Sequence, residues 1–150
     1  ELVVSGPAVM QGYCGSPEDT RAGLREGRLY TGDMGYIDPD GDLWVVQRVS
    51  DLIISGAENV NPEEVETTLC EHPEVHQACV VGIDDPEWGQ CVAALVVAEN
   101  VSCEILQRFC RQRFAAYKQP RVMQLVDELP RTQSGKINRV AAREMLTGAR

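Results

Sequence analysis

A single lysine stands in the stretch Leu129-Pro-Arg-Thr-Gln-Ser-Gly-Lys-Ile-Asn-Arg139, directly behind Gly135 and between two apolar segments. Glycine lets a backbone approach a ligand closely and adopt positive φ. Lysine is a compact point charge on a flexible stem, suited to a phosphate or a carboxylate. Lys136 is therefore a candidate for reaching a phosphate or a carboxylate; by itself, the peptide also reads as an exposed turn with a solvated lysine. Two further positions can do chemistry. Asp33, after Thr31-Gly32 at a strand end, can accept hydrogen bonds from a vicinal diol such as a ribose, or close an ordinary turn. Arg48 carries a fixed fork of donors suited to ribose or phosphate oxygens, or to a rim salt bridge.

Those residues need elements to hold them. The first fifty residues read as short strands at Leu2-Val3-Val4, Leu29-Tyr30, Gly35-Tyr36-Ile37 and Leu43-Trp44-Val45-Val46. Asp38-Pro-Asp-Gly-Asp42 is a turn signal joining the last two into an antiparallel hairpin. Its alternation places Leu43 and Val45 on one face, Trp44 and Val46 on the other. After Arg48 the texture changes: Asp51-Leu-Ile-Ile54 is a strand and Ser55 to Val60 a loop. Asn61-Pro-Glu-Glu64 then starts a helix, with Asn61 as cap, Pro62 at the first helical position and Glu64 returning a bond to the cap amide. That helix puts Val65 and Leu69 on one face and stops before Pro73. Val75–Ile83 and Cys91–Ala98 are strand-length apolar runs joined through Asp84-Asp-Pro-Glu-Trp-Gly89. A helix from Ser102 presents Leu106, Phe109 and Cys110 at i, i+3, i+4. Val122–Val126 is a further strand. A last helix begins near Asn138 with Ala141, Met145 and Leu146 facing inward. The fold class is α+β, a small sheet flanked by helices, preceded by antiparallel strands.

Of the 150 residues, 43% are hydrophobic, enough for a packed core in one domain or one plus part of another. No apolar run approaches the ~20 residues that span a bilayer. A net charge of −9 argues against general affinity for nucleic acid or an anionic membrane, while leaving room for a local cationic site. The six cysteines, at 14, 70, 79, 91, 103 and 110, have no C-x-x-C spacing and no companion histidines. They read as reduced core thiols of a cytoplasmic protein, and no metal site is expected. His72 and His76 flank Pro73 at a helix end and read as complements to its dipole. Glu63, Glu64 and Glu66 read as a solvated first turn. The chain opens on a strand without Met, which suggests a piece of something longer.

Taken in order, Thr31-Gly-Asp33, Arg48, the glycine loop with Pro62-Glu-Glu-Val-Glu66, and Pro130-Arg-Thr-Gln-Ser-Gly-Lys136 resemble the closing part of AMP-forming acyl-CoA synthetases of the adenylate-forming superfamily. Glu1-Leu-Val-Val-Ser-Gly-Pro7 and Gly12-Tyr13 extend the likeness over almost the whole chain. The resemblance implies that a carboxylic acid and ATP form an acyl-adenylate, which coenzyme A converts to a thioester. It implies residues 1–48 as the end of a large N-terminal adenylation domain, a hinge at 49–52, and a C-terminal lid domain at 53–150. It also implies Lys136 as the catalytic cation, Asp33 and Arg48 as nucleotide-binding residues, and Ser50 and Asp51 as hinge. Ser55, Gly56 and Ala57 would form the loop along the coenzyme A path. The Mg²⁺ that travels with ATP would be held mainly by the missing N-terminal domain, the chain's expected partner, so the fragment alone should be inactive.

Two positions depart from the family pattern. Ser50 stands where the hinge is usually Asp or Lys, and Gly56-Ala57-Glu58-Asn59 replaces a Gly-Gly-Glu-Asn run. A methyl at Ala57 would narrow the thiol path, or strain the loop if φ is positive. Ser50-Asp-Leu-Ile-Ile-Ser-Gly56, Glu58-Asn59 and Trp88-Gly-Gln90 resemble the 2-succinylbenzoate–CoA ligases of menaquinone biosynthesis, though aliphatic and aryl-acid ligases share much of this. The Trp88 segment reads equally as an indole cap on the sheet. The alternatives are an adenylation domain that loads a carrier protein and a free-standing, non-catalytic binding module.

Overall fold

A computed structural model describes residues 1–148; positions 149 and 150 of the expected 53–150 domain lie outside the described residues. The chain divides into two compact units, Glu1–Ser50 and the remainder from Asp51.

In the first unit, β1 (Val3–Ser5), β2 (Leu24–Arg25) and β3 (Arg28–Tyr30) form an antiparallel sheet with β3 in the middle. The short helix α1 (Pro17–Gly23), which the sequence reading missed, precedes β2. β4 (Asp33–Ile37) and β5 (Leu43–Arg48) form the expected hairpin, closed by Asp38, whose carboxylate accepts the backbone N–H of Asp40 and Asp42 and the indole N–H of Trp44. Those bonds lower the Asp38 pKa below the usual carboxylate value, the indole bond contributing most. The hairpin departs from simple alternation. Its register steps from Met34–Gln47 to Gly35–Val45, leaving Val46 opposite no partner. Such a bulge bends the strand and increases its twist. It needs Gly35, because a Cβ there would collide with the Trp44 carbonyl oxygen.

The second unit is built on β9 (Gly89–Ala98). The long strand β8 (Val75–Asp85) runs antiparallel along one edge of β9. The other edge takes β10 (Val122–Leu125) in parallel and, at its start, β6 (Ile53–Ser55). β6 turns directly into β7 (Glu58–Val60), so the expected loop from Ser55 is a tight hairpin. Helices α2 (Pro62–Cys70) and α3 (Cys103–Arg111) belong to one side and α4 (Arg139–Gly148) to the other. β9 is buried on both faces: Val92, Ala94 and Val96 join Val65, Leu69, Leu106 and Cys110, while Cys91, Ala93 and Leu95 join Leu129, Ala142 and Leu146. That is why it reads as a continuous apolar run.

Several expectations are corrected. Glu64 does not return to the cap amide; both its oxygens take the Lys118 ammonium, at 2.7 and 2.8 Å, while Asn61 alone caps α2 by accepting the Glu63 N–H. The inward face of α4 is Ala142 and Leu146, one turn apart, with Met145 exposed. Cys79, Cys91 and Cys110 are core thiols, but Cys14 and Cys70 are exposed. Burial pushes Cys79 and Cys110 up to about 11, so both stay protonated. The His72 ring is engaged locally: its Nδ1 accepts the Glu74 N–H, and the ring meets Phe109 edge-on.

Candidate active-site residues

In the first unit the sheet register itself brings two of the candidates together. Asp33 and Arg48 are paired across the hairpin, Arg48 Nε lying 3.0 Å from Asp33 Oδ1. Thr31 and Gly32 fix the approach. The Thr31 hydroxyl donates to the Leu2 carbonyl and accepts the Asp33 N–H, and Gly32 takes a φ of +73° that suits glycine. The result is an ion pair in which Arg48 remains largely exposed, so both groups can still meet a ligand hydroxyl.

In the second unit, Lys136 directly follows the tip of a pinned turn after Leu129. Thr132 N donates to the Lys136 carbonyl at 2.8 Å, Gly135 N to the Thr132 carbonyl at 2.9 Å, and Arg131 Nη1 to the Gly135 carbonyl at 2.8 Å. Gly135 takes a φ of +83°, the left-handed conformation that makes this turn possible. Arg131 and Ile137 close its base as an antiparallel bridge. The Lys136 side chain is exposed, and its ammonium has no ion-pair partner among the described residues. Backbone and side chain are thus handled differently: the first is fixed and the second is left open.

Ser55, Gly56 and Ala57 form the turn between β6 and β7. Gly56 and Ala57 have φ of +59° and +68°, the two positive values of a type I′ hairpin turn. Trp88 packs against Gly56 so closely that a Cβ there would approach the indole Cε3 to 2.6 Å. The Arg121 guanidinium stacks 4.3 Å from the centre of the Trp88 ring, and Gln90 Oε1 accepts the Ile54 N–H. Trp88-Gly-Gln90 therefore does cap this end of the sheet. Ala57 carries a left-handed strain that glycine would not. Ala57→Gly is expected to stabilise the second unit by roughly 1 kcal/mol, read as a higher denaturation midpoint; an unchanged midpoint would mean the turn relaxes around alanine.

Ser50 and Asp51 lie in a 3-10 turn, Val49–Asp51, with the division between units falling between them. Two residues that carry little signal in the sequence are prominent in the structure. Glu66 is no solvated acid: it is one of the least exposed charged groups, 14% accessible, and is bound by Arg139 at the start of α4. Its position one residue after Val65, on the border of the buried face of α2, was the available signal. Arg139, three positions after Lys136, was not distinguished from an ordinary helical arginine.

Comparison with known proteins fits this geometry. Residues 64–136 match the family model described as the AMP-binding enzyme C-terminal domain. A 2-succinylbenzoate–CoA ligase of Geobacillus sp. (strain WCH70) is 47% identical over 149 residues, covering 97% of this chain and 30% of the relative. That of Bacillus velezensis is 46% identical over 99% of this chain and 31% of the relative. Among solved structures, ATP-bound MatB from Rhodopseudomonas palustris matches with a TM-score of 0.85 and 32% identity, covering 94% of this chain and 29% of that one. MenE from Bacillus subtilis, in complex with the acyl-adenylate intermediate OSB-AMP, matches at 0.80 and 42%, with 94% and 29% covered. The chain spans about 30% of the length of the curated relatives it matches.

Proposed function

We propose that this chain is the C-terminal part of an AMP-forming acyl-CoA ligase, with 2-succinylbenzoate as the first candidate acid. In the first step a carboxylate oxygen attacks the α-phosphorus of ATP, forming the acyl–phosphate bond as the bond to pyrophosphate breaks. In the second the coenzyme A thiol, losing its proton, attacks the acyl carbonyl and AMP leaves. The first step brings anion to anion, so a cation held where charge builds lowers its barrier. Lys136 supplies that cation: the observation that carries this reading is an uncommitted ammonium on a fixed turn. Asp33 accepts from the ribose hydroxyls while Arg48 steadies its carboxylate and donates beside it. Ser50 and Asp51 act as pivot, and the Ser55–Ala57 turn borders the thiol path. Among the described residues no group of three or more His, Cys, Asp or Glu side chains is arranged for a metal.

No described helix is long and apolar enough to cross a membrane. The cysteines are thiols and not disulfides, which supports a reducing, cytoplasmic setting.

The test is acid-dependent pyrophosphate release by the full-length protein across a panel of carboxylic acids, with and without coenzyme A. Release with 2-succinylbenzoate, and a thioester only when coenzyme A is present, is the expected result. Release followed by transfer to a carrier protein but never to coenzyme A would favour the carrier-loading alternative, and no release with any acid would leave a binding module.

A further inference from the structure

Arg139 has a bonding pattern that ordinary surface arginines lack. Its Nη1 donates to Glu66 Oε1 at 2.5 Å and to the Val80 carbonyl at 2.8 Å, and its Nη2 to Glu66 Oε2 at 3.1 Å. Its Nε lies 3.5 Å from Asp51 Oδ2. Glu66 in turn accepts the Val80 N–H at 2.7 Å. One guanidinium thus joins α2, β8, the start of α4 and the first residue of the second unit. Only a planar fork satisfies so many acceptors at once; an ammonium cannot.

The backbone between this clamp and Lys136 has no slack. Ile137 is bridged to Arg131. Asn138 donates its N–H to the Pro130 carbonyl at 2.8 Å, and its side chain accepts the Ala141 N–H at 3.1 Å to cap α4. We propose that Arg139 is a positioning residue for Lys136: it bolts the root of the lysine turn to Asp51, so that the distance from the chain's pivot to the backbone carrying the reactive ammonium is constant. This rests on the function proposed for Lys136. A swinging arm delivers its tip accurately only if its length is fixed, and a misplacement of about 1 Å costs on the order of 10²-fold in rate.

The test uses the full-length enzyme with whichever acid it activates, 2-succinylbenzoate first. Arg139→Gln and Arg139→Lys are made in the unaltered and Lys136→Ala backgrounds. Adenylation is followed as pyrophosphate release, and the second step as thioester formation from supplied acyl-adenylate, with melting temperatures alongside. Arg139→Gln is expected to lower the adenylation kcat by about 30- to 100-fold, with the KM for ATP and the thioester rate changed by less than about threefold. Arg139→Lys recovers part of the loss. In the Lys136→Ala background the arginine change has no further effect, because a residue acting through the lysine cannot act without it. Equal losses in both backgrounds, or both half-reactions falling together with melting temperature, overturn the proposal. Should Arg139→Gln fail to fold, Glu66→Gln decides: it keeps an oxygen for the Val80 N–H and weakens one side of the fork, and must give a smaller loss with the same dependence on Lys136. A Lys136→Ala enzyme that adenylates normally would instead remove the function on which this rests.

Discussion

Replacing Lys136 by alanine in the full-length enzyme is expected to lower acid-dependent pyrophosphate release by roughly a thousandfold, about 4 kcal/mol of lost transition-state stabilisation. Thioester formation from ready-made acyl-adenylate should stay within a few-fold of normal. The asymmetry follows from the chemistry. Only the first step joins a carboxylate to a phosphate, and only there does a fixed positive charge act on developing negative charge. The turn carrying Lys136 makes its internal bonds through backbone atoms and through Arg131 and Thr132, so removing the ammonium leaves the fold intact. A variant with unchanged melting and unchanged pyrophosphate release would show that the exposed lysine is a solvated surface group after all.

The second large effect is on stability. Leu95→Ala should destabilise the second unit by about 3 kcal/mol, the transfer cost of the lost side chain plus a cavity that close packing cannot fill. For a unit of this size that corresponds to a fall in melting temperature of roughly 10–20 °C. Leu95 is fully buried in the middle of β9, in the cluster formed with Leu129, Ala142 and Leu146. The cavity therefore opens beneath α4, not beneath α2 and α3. Hydrogen exchange should rise first in α4, and Leu106→Ala, on the opposite face, should reverse that order. Uniform loosening of both faces by either change would contradict two separately packed layers.

Much of this was legible in the residues. The Asn61-Pro62 helix start, the paired apolar runs around Trp88 and the Asp38–Asp42 turn follow from local backbone chemistry, and they are where a sequence reading expects them. The candidate lysine could be found because a Ser-Gly-Lys turn carries its own conformational signature. What was not legible depends on neighbours far along the chain. Glu66 looks like any helical acid until Arg139, 73 positions away, is folded against it. Glu64 is one residue pattern away from a capping box but is captured by Lys118, because a long-range ion pair competes with a local bond. The hairpin at Gly56-Ala57 was missed since alanine is a poor residue for positive φ, and only strand pairing on both sides holds it there. The bulge at Val46 likewise arises from pairing, with Gly35 as its one sequence trace.

The grip of Glu66 and Arg139 on Val80 has a consequence for how this unit behaves in a crowded solution. β8 is eleven residues long and has a strand neighbour on one side only among the described strands. A long bare rim of that kind invites another chain to add itself and begin a fibril. Side chains from two helices already occupy both the N–H and the C=O of Val80, midway along that rim, so an incoming strand would meet a filled position at the point where it needs to start zipping.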